Sequence, residues 1–218
     1  AQDGAIIQRR GDNGQLARCN QVGMEVFERE AILERAKIIG EQAVELLTAA
    51  ECPTATTDIV LAPDQMLLQI HESIGHPLEI DRILGDERNY AGGSFVKLSD
   101  FGKMQYGSTL MNVTFDPTIA GEFASYGFDD VGIPATKEYL IKDGKLLRGL
   151  GSAESQARSQ IAGVANARAT SWNRPAIDRM ANINLEAGEH SFDEIIGNIE
   201  HGVYMESNRS WSIDDYRN

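Results

Sequence analysis

Beyond Leu84, glycine breaks the chain into short β-prone segments, at Gly92, Gly93, Gly102, Gly107, Gly121, Gly127 and Gly132. That stretch reads as strands and turns. Thr109–Phe115 alternates as a strand does, and Tyr139–Leu147 forms a hairpin because Asp143-Gly144 suits the positive-φ positions of a type I′ turn. Helical periodicity is strongest ahead of it. Met24–Ala50 carries an apolar stripe of Ile32, Ala36, Ile39, Ala43 and Leu46 or Leu47, with Glu28, Arg29, Glu34, Arg35 and Glu41 on the other face. After Cys52-Pro53, Thr56–Ala62 is a short strand that stops at Pro63. A second helix follows, with Asp64 as its N-cap and Leu67, Ile70 and Ile74 as its apolar face. Late in the chain, Ser191 and Glu194 make a capping box before a helix that Gly202 ends. Ser152–Ala169, small and polar, reads as a short helix and a solvated connection. The expected fold is α+β, a largely antiparallel, Gly-interrupted sheet packed with these three helices. Residues 1–23 read as the remnant of a preceding domain, and residues 24–218 as the domain itself.

His71-Glu72-Ser73-Ile74-Gly75-His76 sets two imidazoles around a carboxylate inside the second helix, a grouping able to hold a divalent metal. The zinc-peptidase motif spaces its histidines four apart, on one helix face, with the intervening glutamate as base toward a metal-activated water. Here the spacing is five. On a helix of 3.6 residues per turn, five steps overshoot a full turn by about 140°, which points the second ring away from the first. A local widening to i→i+5 bonding, a π-bulge, would return both to one side. Pro77 favours it, having no N–H for the preceding turn and disfavouring helical geometry at His76, and Gly75 lets the backbone bend. The same hexapeptide equally suits polar residues at a helix end or in a satisfied core network.

Other candidate ligands carry bland readings too. Glu79 and Asp81 could complete a metal set or cover the solvent side of a continuing helix. Asp129 and Asp130 read first as turn formers. His190 precedes the capped helix, and His201 suits a helix C-terminus as a cation. Cys19 and Cys52 read as small buried or loop residues.

With the motif in place, the chain resembles the TldD/PmbA family, zinc peptidases also called modulators of DNA gyrase. The likeness runs through Leu67–Glu79, the acidic turn Phe128-Asp129-Asp130-Val131-Gly132-Ile133-Pro134, Asn173–Asn182, Ala187–Ile196 and Gly202-Val203-Tyr204, in the family's order and approximate spacing from about residue 24 onward. Family members are considerably longer, so this chain looks like an internal fragment. The resemblance implies Zn2+ held by His71 and His76, with a third ligand, a cysteine, in a tail beyond Asn218. It implies Glu72 as catalytic base, unfolded or leader peptides as substrate, and either a homodimer or a heterodimer with a paralogous subunit. The alternative it leaves is a non-catalytic, peptide-binding partner subunit.

Composition bounds the remaining classes. The 42% hydrophobic and 24% charged content of these 218 residues suits a globular domain. A formal charge of −13 repels phosphate backbones, and no basic stripe with interleaved aromatics offsets it, so no direct nucleic-acid partner is expected. No run approaches the roughly 20 apolar residues of a membrane span. Two cysteines make no disulfide framework, the opening Ala1-Gln2-Asp3-Gly4 does not read as a signal peptide, and the expected location is the cytoplasm.

Overall fold

The computed structural model of the chain describes residues 21, 23–25 and 32–206. The leading segment, Cys19 and the start of the Met24 helix lie, wholly or in large part, outside the described residues. In chain order the elements are α1 (Ile32–Glu45), β1 (Asp58–Leu61), α2 (Pro63–Ile70), a π-helical turn (His71–Gly75), a 3₁₀ turn (His76–Leu78), α3 (Ile80–Leu84), α4 (Arg88–Ala91), a 3₁₀ turn (Leu98–Asp100), β2 (Val113–Phe115), β3 (Glu138–Lys142), β4 (Lys145–Leu146), α5 (Ala153–Ser159), β5 (Ala167–Arg168), β6 (Ile177–Asp178), β7 (Ile183–Leu185), α6 (Phe192–Gly197) and β8 (Gly202–Met205). Helices mix with mostly antiparallel strands, an α+β fold as expected. No described helix is long and apolar enough to cross a membrane.

The described residues gather into two compact units. In the first, which runs to Leu67 and resumes at His190, β1 and β8 pair in parallel from Asp58 opposite Gly202 to Leu61 opposite Met205. This partnership between distant segments has no local signature. Helix α1 ends at Glu45, short of the expected Ala50. Helix α6 carries the expected capping box, with the Ser191 N–H donating to Glu194 Oε2 at 2.7 Å and the Glu194 N–H to Ser191 Oγ at 3.3 Å. Its end departs from expectation. Asn198 closes the helix, its Nδ2 donating to the Glu194 carbonyl at 2.8 Å, and Gly202 instead opens β8. His201 therefore lies past the helix end and gains nothing from its dipole.

The second unit, Leu68–Glu189, holds a four-stranded antiparallel sheet in the order β4-β3-β2-β7. Val113, Thr114 and Phe115 of β2 are all buried, because the strand is flanked on both edges and covered on both faces. The Thr114 hydroxyl is satisfied by Glu186 Oε1. The expected strand from Thr109 begins only at Val113, since Ser108 draws the chain into a turn by accepting from the N–H groups of Leu110 and Met111. At the β3–β4 hairpin, Asp143 and Gly144 have φ of 51° and 74°, as a type I′ turn requires. Ile74 and Leu78 join Val96, Val113, Phe115, Leu140, Ile141, Leu146, Leu150 and Val164 in the core, so the histidine-bearing segment is anchored from beneath.

Ser152–Ala169 contains the expected short helix, α5, but its connection is only partly solvated. Ser152, Ser155 and the run Val164–Ala167 are buried, held by the Val164 N–H to the Gly151 carbonyl at 3.0 Å and the Tyr126 hydroxyl to the Ala165 carbonyl at 2.7 Å. Small side chains here permit close backbone packing rather than solvent exposure.

Asp81 and Asp178 clasp α3 to β6. Each backbone N–H donates to the other's carboxylate, at 3.1 and 3.2 Å, while Asp178 also accepts from the Ser152 N–H and Asp81 from the Arg82 N–H. Both side chains are nearly inaccessible, which corrects the reading of Asp81 as a metal ligand or solvent cover. Burial first, then repulsion from Asp178, Glu79 and Glu87, push the Asp81 carboxyl up to about 7, against the Arg82 N–H bond that lowers it. Between the ordinary 3.8 and about 7 the native state thus holds a proton that the unfolded chain has released. Stability should fall as pH rises through that window. Asp81→Asn should flatten the decline in a series of thermal melts across pH 4–7.5; an unchanged slope would assign it elsewhere.

Candidate metal centre

Helix α2 begins at Pro63, whose missing N–H costs nothing at the first helical position. Asp64 therefore sits in the first turn rather than at the cap, where its charge still suits the helix N-terminus. The first turn closes through the Met66 N–H to the Ala62 carbonyl at 2.8 Å. From His71 the ladder widens: the His76 N–H donates to the His71 carbonyl, five residues back. The expected π turn is present. In an α-helical ladder the Ser73 carbonyl would look to residue 77, a proline with nothing to donate. Tyr106 supplies the bond instead, its hydroxyl 2.5 Å from Ser73 O. Burial holds the Tyr106 phenol above its ordinary pKa, which keeps it a donor. Gly75, the last residue of the π turn, takes φ −57° and ψ −71°, a ψ about 30° from the α-helical −42°. A Cβ there would lie 1.9 Å from Met180 Sδ, so close packing also favours glycine.

The widened turn brings the rings of His71 and His76 to 4.6 Å between centroids, at 90° to one another. His71, Glu72 and His76 each offer a ligand atom, all within 4.8 Å, the sole such convergence of His, Cys, Asp and Glu among the described residues. His190 and His201 belong to no such group there, and Cys52 is an exposed free thiol. His71 keeps solvent access; Glu72 and His76 are half-buried. Partial desolvation, and then the neighbouring His76, hold the His71 pKa below its ordinary value. A neutral imidazole keeps its lone pair for a cation. Two imidazole nitrogens suit zinc, and a carboxylate beside them suits either a ligand or a base toward zinc-bound water.

Behind His76 stands a buried charge network that the sequence reading missed. Glu79 is fully buried, with Oε2 2.8 Å from His76 Nδ1 and 3.4 Å from Arg82 Nε, and Oε1 3.8 Å from Arg179 Nη1. Arg179 in turn reaches Glu87 at 2.8 Å. Glu79 is thus neither a convergent ligand nor a solvent cover, because it lies extended just before α3 with its carboxylate buried against His76. The spacing of three between Glu79 and Arg82 was a usable local signal; Arg179 and Tyr106, far along the chain, left none. Asp129 behaves as the expected turn former, Oδ1 accepting from the N–H groups of Val131 and Ile133. It also reaches β5 through the Ala167 N–H at 3.2 Å, and Asp130 accepts from Ala169 N–H at 2.7 Å.

Tyr106→Phe should leave the Ser73 carbonyl unsatisfied and lower stability by about 1 kcal/mol. Hydrogen exchange should show faster exchange at the His76 amide; protection equal to that of the parent would deny Tyr106 this role.

Residues 54–217 match the family profile described as the PmbA/TldA metallopeptidase C-terminal domain. A metalloprotease of Methanothermobacter thermautotrophicus is 35% identical over 192 residues, covering 88% of this chain and 40% of that protein. A zinc metalloprotease TldD homolog of Saccharolobus solfataricus is 27% identical over 150 residues, 68% of this chain and 32% of its own. The crystal structure of TldE from Thermococcus kodakarensis superposes with a TM-score of 0.64 at 14% identity, over 84% of this chain and 40% of that one, a likeness of fold. The chain thus spans well under half the length of these proteins.

Proposed function

The chain belongs to the PmbA/TldD metallopeptidase family, matching its C-terminal domain, and from that premise we propose that it carries the catalytic core of a zinc-dependent peptidase acting on unfolded or leader peptides. The observation that supports this most is the convergence of His71, Glu72 and His76 across the π turn. In this reading His71 and His76 hold the ion through ring nitrogens, and Glu72 is left free to act as base. Bound there, zinc supplies Lewis acidity toward water and the scissile carbonyl. Glu72 takes the proton of the attacking water and returns it to the departing amine. Its partial exposure, beside both imidazoles, supports that role. A peptide substrate would dock extended, adding its backbone to a strand edge. Pairing with a second copy or a paralogous subunit, in the cytoplasm, completes the proposal.

Glu72→Gln in the full-length protein should retain zinc yet lower turnover of an unstructured peptide by about 100-fold or more. Zinc content by elemental analysis, alongside turnover, checks both halves. Unaltered turnover would remove Glu72 from the mechanism, and stoichiometric zinc without any hydrolysis in the parent would favour the non-catalytic subunit.

A further inference from the structure

Two groups compete for one ring nitrogen of His76. Glu79 Oε2 lies 2.8 Å from Nδ1 and can only accept; Arg82 Nη2 lies 3.2 Å from the same atom and can only donate. The two contacts demand opposite tautomers. With the proton on Nδ1, the ring donates to Glu79 and leaves the Nε2 lone pair free for a cation. With the proton on Nε2, Nδ1 accepts from Arg82 and the Nε2 lone pair is lost to any metal. The shorter contact belongs to Glu79, and its carboxylate has no solvent with which to exchange.

Arg82 is itself occupied elsewhere. Its Nη1 donates to the Ala91 carbonyl at 2.9 Å, and its Nη2 lies 3.6 Å from Glu87 Oε2, so the guanidinium is held beside the ring whether or not it bonds to it. The Glu79 charge is countered by Arg82 and Arg179 together.

We propose that Glu79 is a positioning residue: by accepting from His76 Nδ1, it holds the ring in the tautomer that leaves the Nε2 lone pair free for a cation, against the opposing tautomer that Arg82 would impose. This rests on the metal-centre reading. A carboxylate behind a ligating imidazole commonly fixes its orientation and basicity, and its loss costs roughly 10–100-fold in metal affinity. Here the loss also leaves a competing donor in place. Removing Glu79 therefore does more than weaken a bond; it inverts the proton's location on the ring.

The test combines ring-nitrogen NMR of the metal-free full-length protein at about pH 8.5, above the ordinary imidazole range, with zinc affinity measured by competition against a chromophoric chelator. The parent should show His76 protonated at Nδ1. Glu79→Gln should move the proton toward Nε2 and weaken zinc roughly 10–100-fold, and adding Arg82→Met to that variant should recover part of both. A His76 protonated at Nε2 in the parent overturns the proposal without reference to any variant, even if Glu79→Gln fails to fold. Equal tautomers and equal affinities in parent and Glu79→Gln also overturn it. A parent that binds no zinc but shows the Nδ1 proton overturns the metal reading while upholding the tautomer selection by Glu79.

Discussion

One absent hydrogen shapes the candidate site. Pro77 cannot donate to the turn before it, and the ladder that ends there bonds His76 to His71, five residues back. A regular helix with this sequence would splay the two rings; the π turn faces them at 4.6 Å. Such a turn is tolerable only if the carbonyl it orphans finds another donor. Tyr106 provides it from a loop more than thirty residues on, and its ring also packs against the core and against Phe95 at 5.9 Å between centroids. The unusual helix is therefore a tertiary product as much as a local one.

Directly after the turn, the chain buries charge rather than exposing it. Glu79 and Arg82 are nearly inaccessible and are paired with Arg179 and Glu87 from later in the chain, while the buried Asp81 beside them exchanges backbone N–H bonds with Asp178. Burying ions is expensive unless each is paired, and deleting one partner of such a pair costs about 3–5 kcal/mol. That makes the network intolerant of change and stiff. Stiffness fixes the orientation of the His76 ring, whose Nδ1 meets Glu79 at 2.8 Å.

Where local chemistry sufficed, structure was legible in the residues. Asp143-Gly144 takes the positive φ angles of its hairpin, Ser191 and Glu194 exchange their capping bonds, and the five-residue histidine spacing beside a proline yields a π turn. Departures arose where a nonlocal partner or a nearby side chain outweighed the pattern. Ser108 cut a strand short, and Asn198 ended a helix before Gly202 could. Ser152–Ala169 looked solvated because it is polar and small, yet those properties let backbones approach closely in the interior.

By itself, then, the sequence determined the helices and hairpin that begin and end on their own side chains, the α+β character, and the identity of the three groups able to meet a cation. Only the tertiary structure decided how they meet. It paired β1 with β8 across most of the chain, assigned Tyr106 to the Ser73 carbonyl, and turned Glu79 inward against His76 Nδ1 instead of toward solvent. The division follows the range of the forces involved. Caps, turns and ladder spacing act over a few residues and are written in adjacent letters, whereas desolvation and the pairing of buried charges depend on what the rest of the chain brings alongside.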